Sequence, residues 1–515
     1  MGTVDVVNNN VQQNTNNDIA LQIPVSMLQN EVGMEMRAAW VEDLAQISDL
    51  YDMYENGAKF KPIAADKDMN PSTLRFKKGS ALINKEARFM FARTPEIKVE
   101  QDEVLEETEK AKEDISNLQN FLNVVLLKNK FSSKILQAGK DCLIGKRVAI
   151  VMNFNEETGV TISFVPSTNF VYEFSSVDGE TLQKIATFTI VNSSKNATER
   201  RIFCKKYEMH TDGFCYVTET MYDGAGKEDK TFEGKIEDQK TEFQYIPAVV
   251  ILNDQLLGDI FGNSELSSLE DIEAYYSRMA NTDMDAERKS MNPIYYTIDA
   301  SPNSTKELNT APGAYWDLAS DQNREGNTQA QVGVIEPAMN YSNALDTTLE
   351  RLESSMYSEL DIPKLDTESL KGVVSSGKTL KALYWSLIIR CDEKFLVWKP
   401  ALEFMANTII DGALLYPEVY QYHMDEKPSI STHFMVKVEN IYPLPEDEAE
   451  EKQIDMQEVN AQVMSRKFYM MKWRGLTPEK ADEELKQIAL EKQMFEDSYF
   501  PSGDFNKEEV EGDQQ

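Results

Sequence analysis

The sequence predicts an α+β chain built of several domains. Three observations predict it. Residues 34 to 144 read as successive helices. Residues 147 to 252 switch to a strand period broken by Asp-Gly turns. Beyond residue 264, two amphipathic helices bracket a short strand-like insert, and a loop then leads into one long apolar helix. At 515 residues the chain has room for two to four domains.

Residues 1 to about 30 are rich in Asn and Gln and cannot bury a core, so a disordered tail is expected. Met34–Tyr54 places Val41, Leu44, Ile47, Tyr51 and Tyr54 at helical spacing and ends at Gly57. Ser80 is a candidate cap for a helix reaching Phe91. Val104–Leu127 and Phe131–Ile144 read as two more helices.

The period then changes. Arg147–Phe154 and Val160–Val165 read as strands joined by Glu157-Thr158-Gly159. Phe170–Phe174 and Leu182–Val191 flank Asp178-Gly179, and Ile202–Met209 and Phe214–Tyr222 flank Asp212-Gly213. Asp-Gly suits a hairpin turn because glycine accepts positive φ. Ala248–Leu252 is a further apolar strand.

Ser264–Met291 aligns Leu266, Leu269, Ile272, Tyr276 and Met279 on one helical face. Asn343–Leu360 does the same with Leu345, Leu349, Leu352, Met356 and Leu360. The strand-like insert Pro293–Asn340 lies between them. After the loop Gly372–Gly377, Thr379–Ile410 is almost free of breakers and apolar on most faces. It reads as one buried helix about 50 Å long, kinked at Pro400, which removes a ladder bond. Lys381 and Arg390 bracket an apolar run far short of the roughly 20 residues a membrane span needs. Ser431–Val438 is one more strand. Glu446-Asp447-Glu448 opens an acidic helix through Met464, the charge sign a helix N-terminus favours. Thr477 and Pro478 start a last helix to about Phe495, and residues 501–515 form an acidic tail.

The formal net charge is -34, which excludes general nucleic-acid binding over the surface. Cys142, Cys204, Cys215 and Cys391 form no C-x-x-C pair, and all four are expected as reduced thiols in a cytosolic protein. No basic-plus-apolar signal segment opens the sequence.

Gly372-x-x-x-x-Gly377-Lys378-Thr379 matches the phosphate-binding P-loop pattern. A P-loop follows a buried strand, however, and Leu365–Lys371 is polar, so the context argues against a nucleotide site. His210, His423 and His433 are far apart, which fits structural histidines better than ligands or acid–base groups. Asp283, Asp285 and Glu287 lack the glycine and distal Glu of a calcium loop, and read instead as a solvated charged face or a channel wall. Lys371, Lys378 and Lys381 suit either phosphate contact or ordinary helix-end charge. Tyr315 and Trp316 suit either partner anchors or, better, the core of a very small subdomain. No catalytic residue, metal ligand or cofactor is assigned.

Over roughly Thr73–Phe495 the order and local texture resemble the portal proteins of tailed double-stranded DNA bacteriophages. The stretches that carry the resemblance are KGSALINKEARFMFARTPEIKVE, AGKDCLIGKRVAIVMNFNEETGVTISFVPSTNFVY, IPAVVILNDQLLGDIFGNSELSSLEDIEAYYSRMANTDMD, VVSSGKTLKALYWSL and MSRKFYMMKWRGLTPEKADEELKQIALEKQ. The resemblance implies a portal-type multidomain fold with helical stem, small strand-containing clip, α/β wing and helical crown. Residues 31–263 would be wing, with its β-rich part at 147–252. Residues 264–292 and 342–362 would be the two stem helices, with the clip at 293–341 between them. Residues 363–377 would be the tunnel loop, 378–440 the long kinked helix and wing return, and 441–500 the crown. Lys371, Gly372, Ser375, Ser376, Gly377 and Lys378 would then line the DNA channel, and Tyr315 and Trp316 would offer the clip contact.

The resemblance further implies a structural ring, usually of twelve copies, at one capsid vertex of the virion, assembled in the host cytoplasm. Its implied partners are the major capsid protein, the terminase large subunit, a head–tail adaptor, and double-stranded DNA held without sequence preference, with no membrane. The rival readings are a P-loop ATPase of a packaging motor and another acidic virion scaffold protein. The polar sequence before Gly372 disfavours the first, and the helix–insert–helix–loop–helix order disfavours the second.

Overall fold

The structure, a computed structural model, describes residues 23–24, 27–28, 31–63, 70–101, 109–192, 199–291, 294–301, 318–320, 329–335, 339–365, 377–424, 434–444 and 448–499. Residues 501–515, most of the expected N-terminal tail, Tyr315, Trp316, His433 and Lys371–Ser376 lie outside that set. The chain divides into two compact units. The first is Met1–Leu365 with Tyr384–Pro443, and the second is Asp366–Leu383 with Leu444–Gln515. Helix and sheet are mixed in the first unit, as an α+β fold requires, and the described elements of the second are helices.

The first unit opens with α1 (Arg37–Asn56), whose buried face is Trp40, Asp43, Leu44, Ile47, Leu50, Tyr51 and Met53. It ends at Gly57, where φ is 90° and a Cβ would lie 2.7 Å from the Phe76 carbonyl oxygen. Only glycine fits there. Helix α2 (Lys78–Phe91) follows. It starts two residues before Ser80, so Ser80 is not its cap; the Ser80 hydroxyl donates instead to the Tyr54 carbonyl. Strand β1 (Glu96–Gln101), α3 (Glu109–Lys128) and α4 (Phe131–Gly145) come next.

The β-rich region forms two antiparallel sheets. Strands β2 (Arg147–Asn155) and β3 (Gly159–Pro166) pair as the hairpin the sequence predicts. Strands β4 (Phe170–Phe174), β5 (Leu182–Asn192), β6 (Arg201–Met209), β7 (Cys215–Asp223) and β8 (Ile236–Lys240) run in sequence order through the second sheet. Strand β9 (Ala248–Leu252) returns to β2, giving the order β3-β2-β9. Strand β8 is polar and exposed, which explains why no apolar alternation marks it. All four cysteines are free and buried, and Cys204 pairs across from Thr220 rather than Cys215.

Helix α5 (Glu265–Ser290), the antiparallel hairpin β10 (Ile294–Ile298) and β11 (Gln331–Ile335), and α6 (Ser342–Glu359) reproduce the expected helix–insert–helix order. Asp361, with φ 53°, takes the left-handed conformation beyond the end of α6, and Ile362 N–H returns to the Tyr357 carbonyl at 2.9 Å.

The long apolar stretch is two helices, α7 (Gly377–Leu383) and α8 (Trp385–Leu415). The interruption is at Tyr384 (φ -94°, ψ 7°), whose ring lies flat on Phe89 at 5.5 Å. Helix α8 runs through Pro400 unbroken. Pro400 and Leu396 are both exposed, so the carbonyl that loses its ladder donor sits on the open face. Helix α9 (Pro417–Gln421) and β12 (Phe434–Glu439) close the unit, β12 pairing antiparallel with β1. The β1 strand was passed over in the sequence, although Ile97 and Val99 alternate with Glu96, Lys98 and Glu100 as a half-buried strand does.

The second unit contains α7, α10 (Glu448–Asn460), α11 (Arg466–Arg474) and α12 (Pro478–Tyr499). Trp473 Nε1 and Lys472 Nζ both bind Asp455, at 2.7 Å each, which joins α10 to α11. Ser465 caps α11 by accepting the Phe468 N–H. Gly475 (φ 62°) ends it, and Thr477 accepts the Lys480 N–H at 3.5 Å at the start of α12.

Candidate functional site

The α5–hairpin–α6 segment is the most distinctive arrangement in the first unit. The apolar face expected on α5 is fully buried only at Leu266 and Leu269; Ile272, Tyr276 and Met279 are half-buried. Farther along, the buried line is polar. Glu273, Ser277, Asn281 and Asp285 recur every fourth residue and are all buried, as a single helical face allows.

Each of the four holds the backbone of the segment entering α2. Asp285 accepts the Ser72 hydroxyl at 2.7 Å and its N–H at 3.0 Å. Asn281 accepts the Leu74 N–H at 2.8 Å and donates to its carbonyl at 2.7 Å. Ser277 accepts the Phe76 N–H at 3.3 Å, and Glu273 accepts the Gly79 N–H at 2.8 Å. Side chains thus give residues 72–79 the partners a neighbouring strand would supply. This corrects the reading of Asp285 as part of a solvated face. The signal in the sequence was the four-residue polar spacing, which a search for apolar periodicity overlooks.

A buried ionic junction sits where α2, the start of α5, the end of α6 and α8 meet. Glu86 is 0% and Glu265 4% exposed. Arg390 reaches Glu265, lies 3.3 Å from Glu86, and approaches Asp361 at 3.6 Å. Lys394 binds Glu265 and donates to Asn253 Oδ1 at 3.1 Å, with Glu86 3.8 Å away. Glu265 takes the better contacts. Burial pushes its carboxyl up, but Lys394 and Arg390 outweigh burial and hold it below its ordinary value. Glu86 keeps one buried oxygen without a partner. Burial, then the charge of Glu265, push its carboxyl up to about 7. A second buried pair, Arg147 with Asp43 at 2.6 Å, is stacked on Trp40 at 4.8 Å and fixes β2 to α1.

Of the predicted channel residues, Gly377 and Lys378 open the seven-residue helix α7, while Lys371, Gly372, Ser375 and Ser376 are not among the described residues. The described element preceding the P-loop match is helix α6, not a strand. His423 accepts the Val160 N–H at 2.9 Å, and burial pushes its imidazole down to about 4. His210 stacks on Tyr216. Among the described residues there is no group of three or more His, Cys, Asp or Glu side chains suited to a metal. No described helix is long and apolar enough to cross a membrane.

The family model described as "Phage portal protein, SPP1 Gp6-like" matches residues 35–497. The chain belongs to the phage portal protein family. No curated protein matches it. Membership makes it a structural component of the phage virion, and implies an oligomeric ring that meets capsid and packaging proteins.

The junction gives this portal protein a pH signature. Glu86 titrates near 7 when folded and near 4.5 when not. Its contribution is therefore fully present below about pH 4.5 and is lost as pH rises through 7. Glu86→Gln keeps an oxygen for Arg390 and removes the buried charge. Relative to the unsubstituted chain, the variant should gain stability between pH 5 and 8, by on the order of a few kcal/mol. Urea midpoints of the two chains that differ by the same amount at pH 5 and pH 8 would show that Glu86 does not titrate in that range.

Proposed function

We propose that the chain forms the portal ring of a tailed phage capsid, the channel through which double-stranded DNA is packaged and ejected. The observation that supports this best is the order α5, hairpin, α6, then the break and the long helix α8, in a chain of the portal family. In this reading α5 and α6 are the stem, the β10–β11 insert is the clip, residues 363–377 are the tunnel loop, and α10–α12 are the crown. The remainder of the first unit is the wing. Twelve copies form the ring at the portal vertex. The clip, through Tyr315 and Trp316, meets the terminase large subunit during packaging and the head–tail adaptor afterwards, and the wing meets the major capsid protein.

The net charge of -34 suits a conduit. DNA carries about one charge per 1.7 Å of axis. A basic wall would grip it at every step, whereas an acidic wall keeps it centred while Lys371 and Lys378 at the tunnel loop touch phosphate. Negative-stain images of the purified chain should show closed rings with a central hole. Monomer alone, at micromolar concentration across a range of salt, would rule out the portal ring.

A further inference from the structure

Among the exposed apolar surfaces of the first unit, two are carried by the loop before α5 and by α8. One is the tip of the loop between β9 and α5, where Leu256 is 73% and Leu257 107% exposed. The loop behind them is rigidly held. Asn253 N–H donates to the Lys146 carbonyl and Asn263 N–H to the Asn253 carbonyl, both at 2.8 Å. Asp259 accepts the Phe261 and Gly262 N–H groups at 2.9 and 3.0 Å, and Arg147 donates to the Phe261 carbonyl at 3.2 Å. Gly262 (φ 73°) has no room for a Cβ, which would lie 2.7 Å from the Lys146 carbonyl oxygen. The two leucines therefore stand on a preformed base and lose little freedom on docking.

The other surface is a stripe on α8 formed by Trp385, Ile389 and Leu396, which are 61%, 42% and 73% exposed. Lys394 on the same helix binds Asn253 and Glu265, the residues that bracket the loop. At 3.6 residues per turn, the three stripe residues lie about 140° to 180° round the helix from Lys394. The loop thus departs from one side of α8 and the stripe occupies the other. A closed ring of identical subunits joins two different patches on different sides of each protomer. A Trp-centred apolar patch is the kind of surface that carries binding energy in such a contact.

We propose that the Leu256–Leu257 knob of one copy packs on the Trp385–Ile389–Leu396 stripe of the next copy. This rests on the ring reading above and names the surfaces that close the ring. Cysteine cross-linking of the full chain tests it. Burial holds all four native thiols above their ordinary range, so they contribute no background. Under copper-phenanthroline oxidation, Leu257→Cys/Ile389→Cys should give a ladder of multimers on a non-reducing gel, and neither single substitution should. Intact rings in the microscope with no ladder would overturn the knob–stripe contact and leave the ring reading standing. A disulfide-linked dimer from a single substitution would overturn it in favour of a two-fold contact. Absence of rings from the unsubstituted chain would remove both readings. As a second measurement, Leu257→Asp should cost the ring peak in size exclusion at concentrations where the unsubstituted chain is fully assembled, with an unchanged circular dichroism spectrum. Undiminished ring yield would count against the contact.

Discussion

Arg390→Met should destabilise the chain by about 3–5 kcal/mol, the cost of stranding buried charge. Arg390 is the cation shared by Glu86 and Glu265, and it also donates to the Glu359 carbonyl at 3.5 Å. Without it, Lys394 is left to serve two buried carboxylates, one of them 3.8 Å away. Methionine fills similar volume, so the loss is electrostatic rather than a cavity. The control is Arg474→Ala in the second unit. Arg474 pairs with Glu484 at 3.2 Å, but the two are 59% and 43% exposed. An exposed pair contributes about 0–1 kcal/mol. Urea unfolding at matched protein concentration separates the two cases. Equal, small losses would mean that water reaches the junction and screens it.

Removal of Thr367–Ser375 should leave ring formation intact and eliminate most DNA-filled heads. The sequence of this segment is polar and carries Gly372 and Ser375, with Ser376 and Gly377 beside it. Shortening a loop with few buried contacts spares folding. If the loop is the channel's mobile contact with phosphate, packaging or retention fails instead. Rings by electron microscopy and packaged DNA per head are measured separately. Normal packaging would remove the tunnel role, and failure to fold would make the segment structural.

Regular elements were mostly legible where one period ran through them, the six-residue strand β1 being an exception. The β2–β3 hairpin, the β6–β7 hairpin and the α5–insert–α6 order were read from apolar spacing and turn residues alone. Elements without an apolar period were not. Strand β8 is polar, and α11 (Arg466–Arg474) is basic at its end, with Met470 its buried residue. One continuous helix with a kink at Pro400 was expected; α8 runs on through Pro400, and the interruption lies at Tyr384, whose ring stacks on Phe89.

By itself the sequence determined the α+β class, the element order and, through that order, the resemblance to phage portal proteins that the family match bears out. These rest on local periodicity and turn chemistry, which involve neighbours a few residues apart. Only the tertiary structure decided where the buried charges go. Glu86, Glu265, Arg390 and Lys394 are up to 308 positions apart in the numbering, and each looks like ordinary helix-surface charge when read alone. The same holds for Glu273, Ser277, Asn281 and Asp285, whose partners are the backbone groups of residues 72–79. A charge or amide enters the interior only when a partner from another element meets it there, and that meeting is a property of the packed chain rather than of any one segment.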